Sequence, residues 1–317
     1  MFRLTRNWYF RKIIWQTFGS VALYLCVLMR QPACLDDGLY QTSCHGKLGL
    51  PLFFLSEAAE RTAVKIKLFL FLLGCIAFLC GAAEKSEFDN LLLGNPGKAD
   101  VVVDRRGFAV GFSNQHRQPL WVIYKITAAE LQAKPYKRSN RFKHDPLIPR
   151  SAYPKEYTRS GFDRGHLAPA ADMVFSKQTM LDSFLMSNMS PQLPGFNRGV
   201  WKRLEELVRA IALKEKEIYV VTGAIFPSAA EAKHLPSGSI TIPKAFYKVI
   251  YDLTPPQKMI GFIIPYRSSD QPLQVFAVSV DEVEKQTGLE FFSKLPDDLE
   301  ERLESNCLVG KQYKNNR

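Results

Sequence analysis

Seven short apolar runs separated by loops dominate residues 99–280, and they constrain the fold of this chain more than any other feature. Each run has the length and the β-branched and aromatic content of a strand. The runs occupy residues 99–103, 107–113, 119–127, 217–226, 245–253, 258–265 and 273–280. Only residues 197–215 and 281–292 show clear helical character, so strands do not alternate regularly with helices. The pattern predicts an α+β domain with a mainly antiparallel central sheet and flanking helices.

The N-terminal part has a different character. Residues 64–83 contain a short basic start, an apolar run and then small residues, which is the order of a secretory signal peptide. The apolar run is shorter than the roughly 20 residues that a membrane span needs. Because such a signal begins a chain, we interpret Val64 as the true initiator and residues 1–63 as an uncertain extension upstream of it. The predicted domain then covers residues 85–317.

The destination of the protein follows from this interpretation. A signal-like segment at residues 64–83 predicts export to the periplasm or to the medium. Residues 1–30 carry arginine and lysine near their start and no acid. That composition leaves a signal anchor in the membrane or an organellar presequence as alternatives.

The charge of the chain is strongly positive and unevenly distributed. The net charge is +11, and residues 105–159 contain twelve Lys or Arg against three acids, whereas residues 281–304 are acidic. A basic region favours an anionic partner, either nucleic acid or an anionic membrane, because phosphates attract clustered cations. The alternative is a basic surface that binds nothing. The position of the basic region predicts a phosphate-facing side next to the segment described below.

Residues 163–166 place an acid, a base, a glycine and a histidine in consecutive positions. The sequence is Asp163-Arg164-Gly165-His166, and its flanks contain the glycine and proline residues typical of loops and turns. A histidine has a reference pKa of about 6.5, so it can act as a base near neutral pH. The alternative is a structural histidine in a turn.

The helix predicted over residues 197–215 carries a second group of polar side chains. Spacings of eight and four residues place Glu205 and Arg209 on one face, with Asn197 near the N-terminal end of that face. Amide and carboxylate oxygens are ligands that Mg²⁺ accepts. The alternative is an N-cap asparagine followed by an ordinary surface salt bridge.

Four segments in this order resemble one known family. Residues 163–166, 186–192, 196–209 and 278–296, together with the early strand at 117–126, are similar to the DNA/RNA non-specific endonucleases. These are the ββα-metal nucleases, which include secreted bacterial nucleases and mitochondrial endonuclease G. The similarity runs from about Ser113 to Pro296. The resemblance implies an α+β fold with a ββα-metal active-site motif.

The resemblance also implies a base and a metal site. His166 resembles the general base that takes a proton from the attacking water. Asn197 resembles the single direct protein ligand of Mg²⁺, and Glu205 resembles a carboxylate that holds the metal through water. Mn²⁺ is expected as a substitute for Mg²⁺.

The remaining roles concern the phosphate and the shape of the site. Arg209 resembles a contact to the phosphate or the transition state, and Asn188 resembles the active-site asparagine of a neighbouring strand. Asp163 and Arg164 are expected to shape the turn that presents His166, and Arg164 also to bind substrate. The family has an arginine upstream of this turn, for which Arg138 and Arg141 are both candidates.

The sequence therefore predicts a Mg²⁺-dependent endonuclease that hydrolyses DNA and RNA with low sequence preference, since no base-reading motif is present. A nucleic-acid-binding module that has lost catalysis is one alternative, and a phosphodiesterase of small molecules is another. An inhibitor or immunity protein and a homodimer are further partner hypotheses. Whether DNA or RNA is the preferred substrate stays open at this point.

Overall fold

The computed structural model describes residues 88–305. These residues belong to one compact unit. The extension at residues 1–63 and the signal-like segment at residues 64–83 lie outside the described residues. Within residues 88–305, no helix has the length and apolar character needed to cross a membrane.

Within residues 88–305, nine strands form two sheets. They are β1 (Val101–Asp104), β2 (Ala109–Ser113), β3 (Gln118–Thr127), β4 (Asp163–His166), β5 (Met189–Gln192), β6 (Glu217–Ile225), β7 (Ala245–Asp252), β8 (Lys258–Pro265) and β9 (Ala277–Val278). The large sheet has the order β1-β2-β3-β6-β7-β8-β9, and β4 and β5 pair separately. Every pairing between these strands is antiparallel. The predicted α+β class with a mainly antiparallel sheet is therefore confirmed.

The described part of the chain contains five α-helices of at least five residues. They are α1 (Ala128–Gln132), α2 (Lys177–Asp182), α3 (Lys202–Glu215), α4 (Val280–Thr287) and α5 (Asp297–Glu304). One helical turn at Pro194–Phe196 and a π-helical segment at Asn197–Trp201 lead into α3. Short 3-10 turns occupy Asp89–Leu91, Pro154–Tyr157, Met186–Asn188 and Leu273–Phe276.

The large sheet separates two hydrophobic cores. Successive side chains of a strand point to opposite faces, and β7 shows this clearly. Phe246 and Ile250 pack in the core that contains the buried residues of α3. Tyr247 and Val249 pack in the other core, with buried residues of α4 and α5. The segment between β3 and β6, which carries β4, β5 and α3, therefore lies on one face, and the C-terminal helices lie on the other.

Two elements near the C-terminus are shorter than predicted. Residues 273–280 form a 3-10 turn and a strand of only two residues, because Ser279 already caps α4 by accepting a hydrogen bond from the amide of Glu282. The helix predicted over residues 281–292 ends at Thr287. Gly288 terminates it in the left-handed conformation, with φ of 68°.

Two further predictions are corrected in the segment that carries the motif. Asp163 and Arg164 were expected in a turn, but they lie in β4 and pair with β5. Asn197 was expected at the start of a helix. One helical turn already begins at Pro194, because the proline fixes a helical φ at a position that needs no amide donor. The backbone then leaves helical geometry at Gly199, and α3 begins only at Lys202.

Candidate active site

The strand β4 presents the residues of the motif along one short antiparallel pair. Its register places His166 opposite Met189 and Gly165 opposite Ser190. A glycine is needed at position 165 because an added Cβ would lie 2.2 Å from Cδ of the buried Gln192. The motif thus forms a strand, and the side chain of Gln192 on the neighbouring strand β5 packs against its glycine.

One polar cavity of about 360 Å³ collects most of the predicted site residues. It lies between β4, the segment leading into α3, and the exposed loop before β4. The predicted residues that line it are Arg138, Asp163, Arg164, His166, Asn197 and Glu205. The structure therefore brings together side chains from positions far apart in the sequence.

His166 is enclosed by aromatic rings. Its ring centroid lies 4.9 Å from that of Phe184 and 5.7 Å from that of Phe142. Nε2 is buried and has no hydrogen-bond partner among residues 88–305. Burial, assisted by the positive charge of Arg138, lowers the pKa of His166 to about 3. The imidazole is therefore neutral at physiological pH, which is the form that can accept a proton.

Asp163 connects β4 to the segment that precedes α3. Its Oδ2 accepts a hydrogen bond of 2.9 Å from Nδ2 of Asn197, and its two carboxylate oxygens accept hydrogen bonds from Arg198. Burial alone would raise the pKa of Asp163, but the hydrogen bonds from Arg198 and Asn197 outweigh it and hold the pKa below its ordinary value. The alternative of an N-cap role for Asn197 is wrong, because its side chain contacts Asp163 and caps no helix.

Glu205 faces the cavity from the first turn of α3. Burial raises the pKa of Glu205 to about 8, and the nearby charge of Lys248 opposes this increase. Lys248 lies on β7 and is fully buried, with Nζ 4.9 Å from the centre of the Trp201 ring. Burial lowers the pKa of Lys248 to about 8. The carboxyl group thus needs positive charge nearby to ionise at neutral pH.

The donor set of the cavity fits a hard cation. Asn197 uses Nδ2 to donate to Asp163, so its Oδ1 is the atom left to face a ligand. Glu205 supplies a second oxygen ligand whose ionised form requires a nearby positive charge. Mg²⁺ typically takes few protein oxygens and keeps several waters. Asn197 and Glu205 are therefore the residues that could hold such an ion.

Three predicted residues do not line the cavity. Arg209 forms an ion pair of 2.8 Å with the buried Asp172, whose other oxygen accepts a hydrogen bond from Tyr124. Asn188 is fully buried and hydrogen-bonds to both the amide and the carbonyl of Ala168, two residues after His166. Arg141 lines a neighbouring groove of about 590 Å³ that it shares with Arg138.

Several residues around the site were missed by sequence reasoning. Arg198, next to Asn197, forms a bidentate ion pair with Asp163 and lines the cavity. Phe142 and Phe184 enclose His166, and no local pattern indicated this, because both lie in segments without periodicity. Lys248 had a signal: it is a lysine inside an otherwise apolar strand, which calls for a buried partner.

Comparisons with known proteins identify the family of this chain. The family described as DNA/RNA non-specific endonuclease matches residues 87–298. A nuclease of Syncephalastrum racemosum is 36% identical over 236 residues, which span 67% of this chain and 74% of the relative. The mitochondrial nuclease of Saccharomyces cerevisiae is 35% identical over 248 residues, spanning 70% and 75%.

A solved structure provides a third comparison. The crystal structure of the EndoG/EndoGI complex contains a chain that is 30% identical, with a TM-score of 0.61, and the match covers 66% of this chain and 91% of that one. The family match spans all nine strands and α3. The chain therefore belongs to the DNA/RNA non-specific endonuclease family and is a nuclease, a hydrolase that acts on nucleic acids.

Proposed function

We propose that this protein is a Mg²⁺-dependent endonuclease that hydrolyses phosphodiester bonds in both DNA and RNA. The observation that carries the proposal is the cavity lined by a neutral histidine, by an amide and a carboxyl group suited to a cation, and by two arginines that form no ion pair among residues 88–305. These residues are His166, Asn197, Glu205, Arg138 and Arg164. Together they supply a base, a cation site and phosphate ligands, which are the parts that phosphodiester hydrolysis needs.

The metal belongs to the same proposal. The family is one of metal-dependent nucleases. We assign direct coordination to Asn197 and a water-mediated contact to Glu205, with Mn²⁺ as a substitute for Mg²⁺. A bound divalent ion would neutralise the negative charge that develops at the phosphate and at the leaving oxygen.

The residues of this chain have separate tasks in the proposed reaction. His166 removes a proton from the attacking water, because burial keeps its imidazole neutral at physiological pH. Asp163 orients Asn197 by accepting a hydrogen bond from its Nδ2. Arg164 and Arg138 bind the phosphate, because a guanidinium offers several donors and keeps its charge.

Two residues outside the cavity act through those that line it. Arg209 is held by Asp172, so we assign it an electrostatic effect on Glu205 instead of the direct phosphate contact that the sequence suggested. Asn188 positions the backbone that follows His166 through its paired hydrogen bonds to Ala168.

Cleavage assays on the full-length chain test the proposal. Supercoiled plasmid and single-stranded RNA are incubated with the protein in Mg²⁺ or in EDTA. Both substrates should disappear only in Mg²⁺. His166→Ala should reduce the rate about 10²- to 10⁴-fold, as expected for the loss of a positioned base. His234→Ala, which removes an exposed histidine outside the cavity, is the matched control and should retain full activity.

Other outcomes identify the alternatives. A folded wild-type protein that retards DNA in a gel without cutting it in Mg²⁺ is a binding module that has lost catalysis. Cleavage of short dinucleotides with no action on plasmid indicates a phosphodiesterase of small molecules. Equal activity of His166→Ala and the wild type removes His166 from the mechanism.

Location and partners are proposed from the sequence and from the relatives. We retain export as the proposal, with membrane anchoring or an organelle as alternatives; the relative from Saccharomyces cerevisiae is named a mitochondrial nuclease. N-terminal sequencing of the native protein tests the proposal of export, because a peptide from residues 1–60 contradicts initiation at Val64.

The solved EndoG/EndoGI complex concerns inhibition of EndoG, which supports an inhibitor protein as a partner of this chain. A homodimer is the proposed alternative to a monomer.

A further inference from the structure

A group of five carboxylates lies on the face of the large sheet opposite α3. We call it the acidic cluster, and its members are Asp281, Glu284, Glu290, Glu300 and Glu304. They come from α4, from the connection that follows it, and from α5. Ligand oxygens of Asp281, Glu284 and Glu304 lie within 4.8 Å of one another, and the same holds for Glu290, Glu300 and Glu304. Glu304 is therefore common to both sets.

Glu304 is the member whose environment requires explanation. Only 5% of the surface of Glu304 is accessible to solvent, and its Oε1 is buried without a hydrogen-bond partner among residues 88–305. Oε1 of Glu300 is in the same situation. A buried carboxyl oxygen without a donor or a cation lowers stability, because it loses its contact with water and gains none in return.

The charges that surround Glu304 do not compensate its burial. The neighbouring carboxylates Glu284, Glu300, Glu290 and Asp281 have the same sign of charge as an ionised Glu304 and therefore offer it no compensation. Glu284 accepts a hydrogen bond from the amide of Phe291. The folded chain thus holds several acids close together at a place where a cation would relieve their repulsion.

The geometry and the donor type select among cations. All five groups offer carboxylate oxygens, which are the preferred ligands of hard divalent ions. Two oxygens on opposite sides of Ca²⁺ lie about 4.6–5.2 Å apart, since each bond is about 2.3–2.6 Å long. Within each set of three residues the ligand oxygens lie within 4.8 Å of one another, which is no farther apart than two ligands of one Ca²⁺ can lie. Mg²⁺ requires shorter bonds and a near-octahedral set that keeps several waters, which suits a crowded group of carboxylates less well.

We propose that the acidic cluster is a structural Ca²⁺ site, with Glu304 as its central ligand. The ion joins α4, the connection at Glu290, and α5, and so fixes the C-terminal helix on the sheet. This site is separate from the catalytic cavity in position and in ligands. The inference does not rest on the proposed nuclease mechanism.

Thermal unfolding and calorimetric titration of the full-length, chelator-treated chain test the site. CaCl₂ should raise the Tm of the wild type, and MgCl₂ at the same concentration should raise it less. Glu304→Gln should bind Ca²⁺ about tenfold more weakly or worse, because affinity depends on the number of charged ligands. Glu290→Gln changes an exposed member and provides a second variant that folds if Glu304→Gln does not.

Two matched variants make the test specific. Glu282→Gln removes a carboxylate of the same helix that pairs with Lys285 instead of joining the cluster, and it should retain the full Ca²⁺ response. Asn197→Ala alters the cavity and should also retain it. The proposal is overturned by the absence of a Ca²⁺ shift in the wild type, by an unchanged shift in Glu304→Gln, by a larger shift with Mg²⁺, or by loss of the shift in Asn197→Ala.

Discussion

His166 and Glu205 show how one enclosed cavity prepares two different groups. Burial disfavours the charged form of each, so it lowers the pKa of His166 and raises the pKa of Glu205. For the histidine this maintains the base in the form that accepts a proton. For the glutamic acid, burial disfavours the ionised carboxylate. The charges of Lys248 and Arg209 offset this effect in part, and a bound cation would stabilise the carboxylate further.

The shifted pKa of His166 predicts a pH dependence of stability. The folded state has a pKa of about 3 and the unfolded state has the ordinary value of 6.5, so at pH 5 the unfolded chain binds a proton that the folded chain does not. Stability from this group is therefore complete above about pH 6.5 and decreases as the pH falls towards 3. Between pH 7 and pH 5 the loss is about 2 kcal/mol.

Urea unfolding in EDTA at pH 7 and pH 5 measures this loss. His166→Gln should lose less stability than the wild type over the same interval, because glutamine does not titrate. The exposed His234→Gln is the matched control and should behave as the wild type does. Equal losses in the wild type and His166→Gln would show that the buried imidazole does not cause the pH dependence.

At the scale of elements, the β4–β5 pair depends on a close approach between a glycine and a side chain. Gly165→Ala places a methyl group 2.2 Å from Cδ of the buried Gln192, so the glutamine must move. We expect the free energy of unfolding to fall by about 1–3 kcal/mol, the usual cost of overpacking. Chemical unfolding of Gly165→Ala, Gln192→Ala and the double variant measures it. The alanine at position 165 should cost less when Gln192 is also shortened, and additive losses would contradict the contact.

The same pair shows the limit of what sequence patterns reveal. The long apolar strands β3, β6, β7 and β8 were predictable, since β-branched and aromatic residues identify buried strands. The strands β4 and β5 were not, because four-residue segments with charge, glycine and proline carry no period. The helix at α5 was also missed. Its eight residues contain only Leu299 and Leu303 as apolar positions, which is too few for a periodic signal.

The site was predictable to the extent that its residues share motifs. His166, Asn197 and Glu205 were proposed because their spacing and their neighbours carry a family resemblance, and all three line one cavity. Arg209 and Asn188 carry the same resemblance, yet tertiary contacts with Asp172 and Ala168 occupy their side chains. Sequence spacing shows which residues share a helix face, but it does not reveal which distant carboxylate forms an ion pair with an arginine on that face.

At the scale of the whole molecule, the large sheet divides the charges as well as the cores. The cavity and the adjoining groove on the α3 side are lined by cations, which are Lys137, Arg138, Arg141, Arg164, Lys177 and Arg198. The opposite face carries the acidic cluster. We therefore expect a polyanion to be attracted to the side of the cavity and repelled by the acidic cluster, and this would orient nucleic acid towards the cavity before any specific contact forms.

This division predicts how binding responds to salt. A protein that neutralises Z phosphates shows a slope of about −0.9Z in a plot of log K against log salt for duplex DNA. Lys137 and Arg141 line the groove beside the cavity and are exposed. If they contact phosphates, Lys137→Ala/Arg141→Ala should reduce the steepness of the slope by about 1 for each residue removed. Binding to DNA and to RNA should weaken to a similar degree, because both share the phosphate backbone.

Fluorescence anisotropy at several KCl concentrations measures the slope, on a His166→Ala background that prevents cleavage. Lys285→Ala removes one exposed cation from the opposite face and is the control. Its slope should equal that of the parent protein, since phosphates do not reach that face in the oriented complex. A reduced slope in Lys285→Ala, or an unchanged slope in the groove variant, would mean that the charge of the whole molecule attracts nucleic acid without orienting it.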